Sequence, residues 1–221
     1  MTRADILYAV SMATTKTKNP TTSDLSAVDK ILSYLVGTKS MKLKLGSNEG
    51  VVLYATVDAS YASHGDSKSH SGITLHIGID SGSIMSVSKK QKIIADSSTS
   101  AEFIAAHLAA KEVLWCRRLL ASLGYPQKDA TILFEDNLST IAMIKNKSNG
   151  KRTKHLEVRF NMIRELVEKM VIVVKHLTSK DMTSDILTKS LAPAAFIHLR
   201  KKILGLHVKI VNAVRKILKC N

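Results

Sequence analysis

Asp58, Glu102, Asp136 and Asp185 are the residues whose type and setting can support chemistry in this otherwise basic sequence. Asp58 lies in Thr56-Val57-Asp58-Ala59-Ser60 and Glu102 follows Ser97-Ser98-Thr99-Ser100-Ala101. Asp136 ends Phe134-Glu135-Asp136, and Asp185 falls within Thr183-Ser184-Asp185-Ile186-Leu187. Four carboxylates brought to one point repel one another strongly unless cations fill the space between them. Hard oxygen ligands with open positions suit Mg²⁺, with Mn²⁺ as a substitute. Two such ions roughly 3.5–4 Å apart can activate water and stabilise a leaving oxygen at a phosphodiester.

Each acid also has a plainer explanation. Asp58 can form a turn, Glu102 can interact with a helix macrodipole, and Asp136 can cap the helix that follows it. The elements decide how far those explanations reach. Residues 51–58 read as a strand, followed by two more β-type runs at Gly72–Ile79 and Ser83–Ser88, separated by Gly and Ser turn residues. A helical period follows from Ala101 to Leu123 and ends at Gly124. Residues 130–135 form a fourth strand running into a short helix, Ser139–Lys145; a helix over Glu157–Lys169 and a fifth strand, Met170–Leu177, come next. A short helix passes through Asp185, and a basic helix or pair begins near Pro193. Three antiparallel strands followed by βα units predict an α/β fold with a mixed five-stranded sheet and helices packed on it. With the first and fourth strands as central neighbours, all four acids fall at the same end of that sheet, which the plainer explanations leave unaccounted for.

The whole chain sets the class of partner. Its 221 residues suffice for a real core. Against 18 acids it carries 33 Lys and Arg, a net charge of +15 that favours polyanions, nucleic acid being the commonest. Cys116 and Cys220 are too few and too far apart for a disulfide framework or a zinc site. No apolar stretch approaches a membrane span, and the N-terminus lacks the apolar core of a secretory signal. The expectation is an intracellular protein, in the cytoplasm (within a virus-like particle) or the nucleus, with no membrane partner. Residues 1–45 read as helical, with Leu25, Val28, Ile31, Leu32, Leu35 and Val36 on one face. The stretch from Ile186 to Asn221 holds eight basic residues and no acid; packing with a solvated basic face is its first reading and phosphate contact its second.

Several runs resemble copia-type retrotransposon Pol sequences. Ser88-Lys89-Lys90-Gln91-Lys92 and Ser97-Ser98-Thr99-Ser100-Ala101-Glu102-Phe103-Ile104-Ala105-Ala106 are similar to the family's "SKKQ…SSTEAEYIAA". Lys111-Glu112 with Trp115-Cys116-Arg117-Arg118-Leu119-Leu120 resembles "KEAxWLRRLL", and Glu135-Asp136-Asn137 with Ser139 resembles "CDNQSAI". Arg152-Thr153-Lys154-His155-Leu156-Glu157-Val158-Arg159 resembles "RTKHIDIRY", and Lys180-Asp181 through Ser184-Asp185-Ile186-Leu187-Thr188-Lys189-Ser190-Leu191 resembles "EDQLADIFTKPL". The front of the chain, from Arg3 to Ser11 and from Ile31 to Thr38, resembles the segment joining the reverse transcriptase to its ribonuclease H.

That resemblance implies a ribonuclease H-like fold with three parts. Residues 1–45 would be a helical remnant of the reverse transcriptase connection, 50–191 the ribonuclease H domain, and 192–221 a basic helical tail. Carried over position by position, the metal-binding and catalytic carboxylates fall on Asp58, Glu102, Asp136 and Asp185. The implied reaction is two-metal, endonucleolytic cleavage of the RNA strand of an RNA–DNA hybrid, read through 2′-hydroxyls and hybrid shape. The polymerase's paired-aspartate strand would lie upstream, so the resemblance implies no reverse transcriptase activity here and a separate polymerase chain as a candidate partner. Lys89, Lys90, Arg152, Lys154 and His155 are candidates for nucleic-acid contact. His176, at a strand end, reads first as a solvated side chain and second as an aid to product release.

Departures from the family pattern are Ser100 for an acid, Tyr61 for a tryptophan, Ser190 for a proline and Ala4 for a proline. None removes a carboxylate ligand, yet together they point to a diverged copy. The alternative is a catalytically inactive, decayed fragment that at most binds nucleic acid. An integrase on the same fold is disfavoured, because here the glutamate comes second among the acids rather than last.

Overall fold

Along β1 (Leu53–Ser60) Ala55 and Val57 face one apolar cluster while Tyr54 faces another, the period-two pattern of a strand covered on both sides. The computed structural model describes residues 2–47, 50–78, 80–146 and 154–206, the side chains of the last stretch from 158 onward. β1 pairs antiparallel with β2 (His70–Ile77), which pairs antiparallel with β3 (Ser83–Lys90). On its other side β1 pairs parallel with β4 (Thr131–Glu135), itself parallel to β5 (Ile172–His176). The order across the sheet is β3-β2-β1-β4-β5. The expected α/β class with a mixed five-stranded sheet is therefore the one observed, and β1 and β4 are central neighbours.

One face of the sheet is covered by α3 (Ser98–Ser122), whose Ala105, Ala106, Ala109 and Ala110 let the helix axis lie close to β1. Phe103 stacks on Phe160 of α5 (Lys154–Glu168) with ring centroids 3.7 Å apart, tying the two helices together. α4 (Leu138–Lys145) contacts both helices. On the opposite face Tyr54, Ile132, Phe134, Leu177 and Met182 form a smaller cluster. A third cluster joins N-terminal residues to the segments around Ile186 and Leu199: Ala4 packs with Ile186, Leu187, Leu199, Ile203 and Leu204, flanked by Leu7, Met41 and Leu43. Ala4 lies in the 3-10 turn Ala4–Ile6 that leads into α1 (Leu7–Thr14), and Met41 and Leu43 follow α2 (Thr22–Gly37). Ile186 and Leu187 lie in the 3-10 helix Thr183–Leu187, and Leu199 and Ile203 belong to α6 (Pro193–Ile203), with Leu204 just after it. Tyr34 of α2 donates to Asp5 at 2.6 Å and accepts from Arg200 of α6 at 3.2 Å.

Several boundaries differ from the sequence reading. β1 runs two residues past Asp58, because Ala59 and Ser60 still pair with Ser71 and His70. β2 begins at His70, and α3 begins at Ser98, where the Ser97 hydroxyl accepts from the Ser100 N–H and caps it. Around Asp185 the chain forms two 3-10 helices, Ser179–Asp181 and Thr183–Leu187, instead of one α-helix. Of the basic tail, α6 to Leu206 is described; 207–221 lie outside the described residues.

Candidate metal centre

Asp58 occupies a position inside β1, directly opposite Gly72 of β2. A Cβ on Gly72 would come within 2.6 Å of Thr188 Cγ2 and 2.7 Å of the Ser184 carbonyl oxygen. The absent side chain is what lets the Thr183–Leu187 helix lie flat on the sheet beside Asp58. Buried hydroxyls pin that helix in place. Thr56, Thr74 and Thr183 are mutually hydrogen-bonded at 2.7 to 2.9 Å, and the Ser184 N–H donates to Thr56 at 3.1 Å. Ser88 of β3 donates to the Leu187 carbonyl at 2.7 Å. Asp185 is thereby delivered from the helix to the same sheet end as Asp58.

Asp136 follows directly on β4, and the Ser179 hydroxyl donates to its Oδ2 at 2.7 Å. Asn137, not Asp136, caps α4 by accepting from the Thr140 N–H. The capping explanation of Asp136 therefore falls, as does the turn explanation of Asp58. Glu102 sits a full turn inside α3, buried, too deep for a macrodipole contact to account for it.

Oxygens of Asp58, Asp136 and Asp185 lie within 4.8 Å of one another, and so do those of Glu102, Glu135 and Asp136. The four predicted acids are thus brought together around Asp136, with Glu135 as a fifth that sequence reasoning missed. Glu135 is fully buried and shares the α3 side of β4 with Leu133. Its signal was a charged residue closing an apolar strand, at the position where the resembling family carries cysteine.

The electrostatics follow from burial. Desolvation, then the charges of Glu135 and Asp58, pushes Glu102 up to about 11. Burial, then Asp58, pushes Asp185 up to about 7, and Asp58 and Glu135 are likewise raised chiefly by burial. Lys189 is the internal counter-charge, with its Nζ 3.1 Å from Asp185 and 3.5 Å from Asp58. Burial lowers its pKa, but the two carboxylates more than reverse that. The Thr188 hydroxyl donates to Asp58. The Lys189 ammonium pairs with two of the five acids. Glu102 Oε2, Glu135 Oε2 and Asp185 Oδ1 are buried without a hydrogen-bond partner, so each could serve as a cation ligand. An all-oxygen donor set with shared carboxylates fits Mg²⁺ or Mn²⁺.

The remaining candidates lie outside the acidic cluster itself. His176 ends β5, exposed, paired in register with Glu135. Lys89 and Lys90 line a groove of about 230 Å³ with Lys92, His107, Lys111 and Arg159, between the end of β3 and the first half of α3. Lys90 is bound 2.8 Å from Asp66. Burial, then Arg159 and Lys111, lowers His107 to about 4, so lysine and arginine carry the groove's charge at neutral pH. Arg152 and the side chains of Lys154 and His155 lie outside the described residues.

No family model matches the sequence. Its homologues are retrovirus-related Pol polyproteins of copia-type transposons, aligned along nearly the whole chain. It is 35% identical over 206 residues to the Pol polyprotein from transposon TNT 1-94 of Nicotiana tabacum, covering 93% of this chain and 15% of that protein. With the Pol polyprotein from transposon RE1 of Arabidopsis thaliana it shares 32% identity over 203 residues, 91% of this chain and 14% of that one. The chain spans about 15% of the length of the curated relatives it matches. Among solved structures it is similar to LC11-RNase H1 in complex with RNA/DNA hybrid, with a TM-score of 0.46 at 13% identity, covering 62% of this chain and 93% of the other.

Proposed function

We propose that this chain is a metal-dependent ribonuclease H that cuts the RNA strand of RNA–DNA hybrids as part of a copia-type Pol system. The observation that carries the reading is the convergence of buried carboxylates at the shared end of β1 and β4, three of their oxygens unpartnered. Asp58, Asp136 and Asp185 would hold one divalent cation, and Glu102 with Asp136 a second. When bound, such cations supply a Lewis-acid hold on a phosphodiester and a more acidic water. The chain's own residues supply the rest. Thr188 and Ser179 orient Asp58 and Asp136, and Lys189 lies beside two of the ligands, placed to meet a backbone phosphate. The groove lined by Lys89, Lys92, Lys111 and Arg159 begins about one turn along α3 from Glu102, and would track further phosphates. Exposed His176, next to Glu135 in register, is the candidate for aiding product release in this reading. A separate reverse transcriptase chain is the proposed protein partner.

The test is incubation of end-labelled RNA–DNA hybrid, duplex RNA and duplex DNA with the purified chain in Mg²⁺ and in Mn²⁺. Internal cleavage confined to the RNA strand of the hybrid is the expected result. Binding of hybrid without cleavage in either metal would favour the inactive, nucleic-acid-binding fragment instead.

A further inference from the structure

We infer that Glu135 is itself a cation ligand, so that Glu102, Glu135 and Asp136 form a complete second metal position on the α3 side of the sheet end. The inference rests on the proposed metal-dependent reading and extends it to a residue outside the four acids that the family resemblance supplies.

Parity along β4 sets the geometry. Ile132 and Phe134 face one side and Leu133 the α3 side, and Glu135 follows Leu133. Asp58 and Asp185 converge on the other side, where Lys189 and Thr188 meet them. Asp136 lies between, within 4.8 Å of both groups. The Asn137 N–H donates to Glu135 Oε1 at 3.1 Å and so fixes the carboxylate, leaving Oε2 buried and unpartnered. Glu102 Oε2 is in the same condition. A purely structural glutamate at the foot of α4 accounts for the bonded oxygen and leaves the other unexplained. Two unpartnered carboxylate oxygens beside a third acid are what a hard cation would complete. Lys189 reaches Asp58 and Asp185, and no ion pair with a lysine or arginine is seen for Glu102 or Glu135 among the described residues. The α3 side therefore has the greater need of a metal charge.

Calorimetric titration of Mn²⁺ into the EDTA-stripped full chain tests this, with circular dichroism checking each variant's fold. The wild type should bind two ions. Glu135→Gln, nearly isosteric, should keep one and weaken the other by roughly 10- to 100-fold or more. Asp58→Asn should lose the opposite position and keep this one, and the double variant should retain only the weakened one. Glu135→Cys serves where the glutamine variant does not fold. Two ions bound by Glu135→Gln with wild-type affinities would overturn the assignment of Glu135 and leave the proposed function standing. A wild type that binds no Mn²⁺ would overturn both.

Discussion

Lys189 sits among the site carboxylates as a built-in cation, and this has measurable consequences at the scale of single residues. Replacing it by Met should lower the melting temperature of the metal-free chain, because Asp58 and Asp185 lose their counter-charge. It should also tighten Mn²⁺ binding several-fold, since a like charge has left the ligands; calorimetry reads both the sign and the size. Unchanged or weaker binding would mean that Lys189 does not compete with the metal. Protonation tells the same story without mutation. In the metal-free chain burial, then Asp58, raises Asp185 from 3.8 to about 7, so its favourable contribution is full below its unfolded value and is lost as the pH rises through 7. Glu102, raised from 4.5 to about 11 by burial and then by Glu135, acts in the same direction over a wider range. In EDTA the melting temperature should therefore fall between about pH 5 and about pH 8, and Mg²⁺ should restore it most at the higher pH. A melting temperature that climbs over that interval in EDTA would contradict this electrostatic account.

Among the elements, the Thr183–Leu187 helix is the critical one, since it is held by hydroxyls and by the bare face of Gly72. Gly72→Ala must push Thr188 and Ser184 outward, costing about 1–3 kcal/mol by overpacking. Asp185 moves with them, so Mn²⁺ affinity should fall even in the protein that remains folded, measured by calorimetry beside a melting curve. The strands and long helices were legible because their periods of two and 3.6 are written in apolar positions such as Ala55 and Val57, or Ala105 and Ala109. Asp58, Glu102, Asp136 and Asp185 were legible through type and place. The rest was not, for physical reasons. A 3-10 helix of five residues has no period long enough to separate it from an α-turn. Ser98–Ser100 carry no apolar signal, so the first turn of α3 was invisible ahead of Ala101. Glu135 was passed over because its meaning depends on which face β4 turns to α3, a register that only the assembled sheet defines.

The whole molecule combines a net charge of +15 with a locally acidic site, and the proposed function assigns grip to the basic groove and chemistry to the carboxylates. Lys92→Ala with Lys111→Ala should weaken hybrid binding similarly across sequences and flatten the salt dependence by about one unit of slope for each lost phosphate contact, read by fluorescence anisotropy at several salt concentrations. An unchanged slope would place the nucleic acid on another surface. The N-terminal residues also bear on the segment around Asp185. Ala4 and Leu7 pack with Ile186 and Leu187, which adjoin Asp185. The N-terminal helices thus buttress the very segment that delivers the fourth carboxylate.

The most direct measurement is strand-specific cleavage of a labelled RNA–DNA hybrid by the wild-type chain beside Asp136→Asn, whose side chain is shared by both carboxylate groups. The account predicts RNA-strand cleavage that needs Mg²⁺ or Mn²⁺ and falls by at least about two orders of magnitude in the variant, with the melting curve retained. Cleavage that survives in Asp136→Asn, or that proceeds in EDTA, would contradict the carboxylate cluster as the seat of the reaction.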